Sequence, residues 1–212
     1  MMGIEHLRNI ALLPDAEVTA IFDTDETQLE MGLQIAGNAK KASSISELVS
    51  RNQLDALVIA SPNHLHVSQL KEIAANKSIP ILCEKPLFTD PKDEPEIERF
   101  QRHYSAQIWV AMEYRYMPPV AALIEQADRV TGGIKMLTLQ EHRFPFLRKV
   151  GDWNRFNTQT GGTLVEKCCH FFDLMRLILK SDPVRVSASA GQLVNHLDEA
   201  YDGKVPDIWD GG

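Results

Sequence analysis

Cysteine is scarce in this chain. Cys83, Cys168 and Cys169 are the only three in 212 residues, an odd set with two members adjacent. That excludes a cystine-stapled secreted domain, and no metal-ligand spacing is present, so no metal is expected and a reducing cytoplasm fits best. Long apolar runs are missing as well. None approaches the ~20 residues of a membrane span, and the first residues lack a basic stretch followed by an apolar one, so neither export nor a membrane partner is expected. Positive charge is in deficit, with 22 Lys and Arg against 29 Asp and Glu and a net charge of -7. A mildly acidic chain is a poor match for nucleic acid, and a small polar metabolite is the easier partner. What is there is 44% hydrophobic residues, enough to build a real core.

Up to about residue 111 the chain alternates between short β-rich runs and helical stretches. "EVTAIF" (17–22), "LDALVIA" (54–60), "IPILC" (79–83) and "QIWVAM" (107–112) read as strands. "TDETQLEMGLQIAGNA", "ISELVS", "HLHVSQLKEIAANK" and "DEPEIERFQRHY" read as the helices between them. Strands that are apolar on both faces and separated by helices predict a parallel sheet covered on two sides, the doubly wound α/β pattern. Past residue 115 the pattern changes. "PPVAALIEQA" starts a helix with proline in its first turn, and "IKMLTLQEHRF" (134–144) alternates like a half-exposed strand. After an irregular aromatic and basic segment come one long helix, "TLVEKCCHFFDLMRLILK", and a closing alternating strand, "VRVSASAGQLV".

Three stretches carry chemistry. In a dinucleotide-binding fold the first strand runs into a G-x-G-x-x-G turn, and an acid about 20 residues further on takes the ribose hydroxyls. Asp23 closes the strand "EVTAIF" twenty residues after Gly3, although a helix cap or turn is an equally ordinary use for it. "SPNHLH" (61–66) and "CEKP" (83–86) follow strands directly, which puts them at the carboxyl edge of the sheet, where such folds bind ligands. Asn63 or His64 also suits the cap of the next helix. In "GGTLVEKCCHFFD" helical spacing puts Glu166, His170 and Asp173 on one face, as a carboxylate-oriented general base requires. The plainer alternatives are a Thr163–Glu166 capping box, a core histidine, and an Asp173–Arg176 pair.

Taken in order, these motifs resemble the Gfo/Idh/MocA family of NAD(P)-dependent oxidoreductases. The resemblance implies an α/β fold: an incomplete Rossmann-type doubly wound parallel sheet lacking its first strand over residues 1–114, then a partial α+β substrate and oligomerisation domain over 115–212. It implies that Lys85 is the catalytic lysine, His170 the general base, Glu166 the active-site acid and Asp173 a supporting residue. Gly3 is then the last glycine of the phosphate turn and Asp23 binds the adenosine ribose. Ser61, Pro62, Asn63 and His66 border the nicotinamide, with Glu84 and Lys85 beside them. The implied substrate is a secondary alcohol of a sugar or cyclitol, in a cleft between the domains. Lys149, Trp153, Asn154 and Arg155 are candidates for the wall facing it. With no Arg or Lys in "FDTDE", NAD is expected over NADP.

The sequence departs from the family pattern at Glu166, where an Asp is usual, and at Cys168, where a Gly is usual. A missing first strand is expected to separate the second and third strands from the fourth, and both ends read as truncated, with a homo-oligomer expected at full length. The competing readings are a non-catalytic nucleotide- or sugar-binding member of the fold, an inactive fragment, and a domain that pairs its open sheet edges with another chain.

Overall fold

Apolar runs too short for helices pair as strands, and the amphipathic stretches between them fold against the sheet. The computed structural model describes residues 2–51, 54–142 and 144–212. It divides into two units, Met1–Val110 and Ala111–Gly212. The first contains α1 (Met2–Ile10), β1 (Ala20–Ile21), α2 (Glu26–Ala36), β2 (Lys40–Lys41), α3 (Ile45–Ser50), β3 (Leu57–Ile59), α4 (His66–Asn76), β4 (Ile81–Cys83), α5 (Glu94–His103) and β5 (Ile108–Val110). Polar residues set the helix starts. Asp25 accepts from the Gln28 amide to open α2, and Ser44 accepts from the Glu47 amide to open α3.

Among the described residues the strands pair in parallel. β1 pairs with β2, and β3, β4 and β5 form a separate sheet in that order, with no ladder between β1 and β3 among the described residues. The sheet is therefore split where the sequence expects a strand to be missing. Leu57, Ile59, Ile81 and Cys83 point to one face and pack with Val49, Leu70, Ile73 and Ile79. The opposite face differs from expectation. Val58, Leu82 and Trp109 lie side by side in register, yet Val58 is 37% and Trp109 46% exposed, so the sheet is fully covered on one side only. Helices α3, α4 and α5 supply that cover, with Ile97 and Phe100 of α5 packing at its margin.

The second unit contains α6 (Pro118–Thr131), α7 (Asn157–Thr160), α8 (Gly162–Glu166) and α9 (Cys169–Leu179), with 3-10 turns at Glu113–Tyr116 and Val150–Arg155. Two expectations fail here. The single long helix is two, because the chain turns at Lys167 (φ -108°) and Cys168 (ψ -8°) between α8 and α9. The alternating stretches 134–144 and 184–194 form no strands among the described residues, where only isolated bridges such as Gly191 to Gly211 occur. Alternation fixes which side chains share a face, but a strand also needs a neighbour to take its N–H and C=O groups. Without one, Phe144 and Val184 remain almost wholly exposed.

Leu70 is buried at the centre of the first unit's core. Leu70→Ala is expected to lower stability by about 3 kcal/mol in urea unfolding, and a loss below about 1 kcal/mol would contradict this core assignment.

Candidate active site

Parallel pairing brings the residues that follow each strand to one edge. After β3 come Ser61 and Pro62, then a 3-10 turn over Asn63–Leu65, and after β4 come Glu84 and Lys85. Neither Asn63 nor His64 caps a helix, since the turn and α4 both start without a side-chain cap bond. Asn63 is instead buried, and its Nδ2 donor has no hydrogen-bond partner among the described residues. A buried donor without an acceptor is costly unless something supplies one.

Lys85 is held from both sides. Before it, the buried Glu84 carboxylate meets His6 Nε2 of α1 at 2.7 Å and accepts from the Lys85 amide at 3.2 Å. Burial pushes the Glu84 carboxyl up, but the His6 hydrogen bond and charge, with the Lys85 amide and charge, outweigh it and hold the group below the usual carboxylate range. After it, the Lys85–Pro86 peptide is cis, and the Pro86 carbonyl lies 2.8 Å from His66 Nδ1. The other ring nitrogen of His66 lies 3.1 Å from the Ser61 carbonyl, so this fully buried ring joins the two loops. Burial depresses its pKa, against the pull of the two carbonyls and Glu84. His66 thus sits behind the edge as a strut. His6, which the sequence reading passed over, carried a signal only in its helical position one turn after Gly3.

Gly3 lies in the first turn of α1, where an added Cβ would sit 3.8 Å from the Ala60 side chain at the end of β3. Asp23 is exposed after β1, and its Oδ1 accepts from the Asp25 amide at 2.9 Å. The helix cap is Asp25, which leaves the Asp23 carboxylate with acceptor capacity to spare. Cys83, beside the site, is not a nucleophile: burial, then the Glu84 charge, pushes its thiol up to about 12.

In the second unit, Gly161 and Gly162 open α8 at φ +77° and +71°. A Cβ on Gly161 would come within 2.5 Å of Val165. α8 starts without a side-chain cap bond, which rules out the Thr163–Glu166 capping box. Glu166 is buried and accepts from Lys149 Nζ at 3.1 Å, and that ammonium also lies 4.4 Å from the centre of the Trp153 ring. His170, 1% exposed, leads the buried stripe of α9 with Leu174 and Ile178. Asp173 pairs bidentately with Arg115, while Arg176 pairs with Asp182.

Asn154 and Arg155 turn inward instead of forming an exposed wall. Asn154 donates to the Leu147 carbonyl at 2.7 Å, and Arg155 bonds Glu199 and the Phe146 carbonyl, both at 2.9 Å. Trp153 is nearly buried too, which leaves Lys149 as the partly exposed member of that group.

The sequence and the fold match known proteins. A family model described as an oxidoreductase family with an NAD-binding Rossmann fold matches residues 1–112, and that family's C-terminal alpha/beta domain matches residues 123–207. The chain belongs to the Gfo/Idh/MocA oxidoreductase family. It is 26% identical over 191 residues to the rhizopine catabolism protein MocA of Rhizobium meliloti, covering 89% of this chain and 58% of that protein. It is 26% identical over 198 residues to an inositol 2-dehydrogenase of Rhizobium meliloti strain 1021, covering 92% of this chain and 57% of the relative. A myo-inositol dehydrogenase from Lactobacillus casei, solved in complex with NAD(H) and myo-inositol, superposes with a TM-score of 0.67 at 21% identity. That match covers 85% of this chain and 52% of the other. The chain spans about half the length of the curated relatives it matches. No helix among the described residues is long and apolar enough to cross a membrane.

The residues at the carboxyl edge suit the family's dinucleotide. Asp23 is an exposed carboxylate, and the buried Asn63 amide is a donor in want of an oxygen. Among the described residues no group of three or more His, Cys, Asp or Glu forms a metal cluster.

Because Glu84 is depressed from its ordinary 4.5, its contribution to stability is present above that value and is lost as pH falls through the lower folded-state pKa. His6→Ala leaves burial opposed by fewer partners. Its acid unfolding, followed by circular dichroism, is expected to begin at higher pH than in the unaltered chain. Superimposable curves would show that His6 does not hold Glu84.

Proposed function

We propose that this chain carries the cofactor-binding edge and the general base of an NAD-dependent dehydrogenase that oxidises a secondary alcohol of a sugar, cyclitol or related polyol. A hydride leaves carbon readily only as the hydroxyl proton departs, so the reaction needs a base and a cation near the developing alkoxide. The observation that carries the reading is the bracing of Lys85, with Glu84 tied to His6 on one side and Pro86 tied to His66 on the other. A backbone fixed in this way anchors the root of the Lys85 side chain at the sheet edge, which suits a group that must meet an alkoxide.

His170 takes the hydroxyl proton as its imidazole. Glu166 and Asp173 belong to its surroundings: Glu166 holds Lys149 in the partly exposed position from which an ammonium can meet a polyol oxygen, and Asp173 fixes Arg115. The NAD nicotinamide, when bound, supplies the hydride acceptor. Asn63 and Ser61 would hold its end of the dinucleotide and Asp23 the adenosine ribose, with Gly3 at the pyrophosphate. An exposed carboxylate repels a 2′-phosphate, which favours NAD over NADP. The inositol dehydrogenases among the relatives support a polyol substrate.

With NAD and a panel of polyols, Lys85→Ala and His170→Ala are each expected to lower kcat/KM by roughly 10²- to 10⁴-fold while NADH binding, read by fluorescence, stays nearly intact. Near-normal turnover in either variant would sink the mechanism. Tight NADH binding with no turnover of any polyol would instead support a non-catalytic binding protein. Asp23→Ala is expected to erode the preference for NADH over NADPH in the same binding measurement.

A further inference from the structure

The turn Glu113–Tyr116 meets the start of α9 through three consecutive side chains. Glu113 Oε1 lies 3.4 Å from His170 Nε2. The Tyr114 ring stacks on the His170 ring with centroids 4.2 Å apart and planes 6° from parallel. Arg115 forms a two-point pair with Asp173, one turn after His170. A fourth group completes the set: the buried Lys167, from the joint between α8 and α9, hydrogen-bonds the Tyr114 hydroxyl and lies 4.3 Å from its ring centre. Glu141 is 3.5 Å from that ammonium.

We propose that Glu113, Tyr114 and Arg115 form a positioning clamp for the His170 imidazole, with Lys167 locking the tyrosine. It rests on the reading of His170 as the base. Each contact removes a different freedom. The Arg115–Asp173 pair fixes the register of the turn against α9, because a planar guanidinium meeting a carboxylate at two points tolerates little sliding. Tyr114 fixes the plane of the imidazole, since rotation of the ring would break the stack. Glu113 places a carboxylate 3.4 Å from the ring nitrogen and so favours the protonated ring that forms when the base has done its work. Lys167 keeps the tyrosine from swinging away. The carboxylate that meets His170 at its ring nitrogen is thus Glu113, outside the helix, while Glu166 one turn back holds Lys149.

The charged groups around the ring are Glu113 and Arg115 from the turn, Lys167 and Glu166 from the joint and α8, Asp173 from α9, Glu141 beside Lys167, and Lys149 on Glu166. Glu113 is the acid nearest to the ring among the ion pairs of this group, and it is half exposed. Its removal should therefore produce a modest shift.

NMR of the His170 ring in the full chain tests the clamp without any substrate, with His170→Asn used to assign the signals. The ring protons are expected upfield in the native chain and in Tyr114→Phe, which retains the stacked ring, and at ordinary positions in Tyr114→Leu. Glu113→Gln is expected to move the His170 titration midpoint down by about half a pH unit. Native ring protons that match those of Tyr114→Leu, or a midpoint unmoved in Glu113→Gln, would overturn the proposal. Should Tyr114→Leu fail to fold, comparison of the native and Tyr114→Phe signals with ordinary imidazole positions decides the stacking. These signals are independent of turnover, so a clamp seen in a chain inactive on every polyol would remove the dehydrogenase reading and leave the clamp standing.

Discussion

Parallel pairing of short strands is the constraint on which the first unit depends. Because β3, β4 and β5 run in one direction in matched register, whatever follows each strand emerges at the same edge. Ser61, Asn63, Glu84 and Lys85 come together for that reason, although they are far apart in the chain. The strands are only three residues long, however, and three ladder positions cannot by themselves fix the loops beyond them. The two histidine contacts supply the missing restraint, His6 from α1 onto Glu84 and His66 from α4 onto both loops. Helix α4, which helps to cover the sheet, and α1 therefore together aim its edge.

The second unit solves a similar problem without a sheet. His170 sits at the start of α9, where the turn at Lys167 and Cys168 interrupts what would otherwise be a continuous helix. An unbroken helix would stack Glu166 over His170. The interruption gives Glu166 to Lys149 and puts the buried Lys167 against Tyr114. Neighbours in sequence thus serve different partners.

What the sequence made legible was whatever depends on local pattern and on order along the chain. The strands β3, β4 and β5 and the helices between them followed from apolar periodicity, while the split sheet followed from the family resemblance carried by the order of "SPNHLH", "CEKP" and the His-bearing helix. What escaped depends on partners. β2 is two exposed lysines with no apolar signal, and it is a strand only because β1 lies beside it. The alternating stretches near residues 134–144 and 184–194 had the pattern of strands but find no ladder partner among the described residues beyond the isolated Gly191–Gly211 bridge. His6 and Glu113 were missed for the same reason, since nothing local distinguishes a histidine that will meet an acid 78 residues away.

The buried charges follow one rule in both units. A carboxylate or ammonium removed from water is tolerated when several donors or acceptors replace its hydration, and removing one partner leaves the other uncompensated. Glu84 has His6 and the Lys85 amide, and Lys167 has Tyr114 and Glu141. Arg155 has Glu199 and a backbone carbonyl, and Glu199, served also by His196 and Tyr201, is lowered to about 2. Arg155 is thus engaged in holding its own loop, through Nε on Glu199 and Nη1 on the Phe146 carbonyl. Lys149 differs because its pairing with the buried Glu166 leaves the ammonium partly exposed. For a cation to act on a substrate it must be anchored enough to be aimed yet keep donors to spare, and of the segment's basic residues that the sequence marked out, Lys149 best meets both conditions.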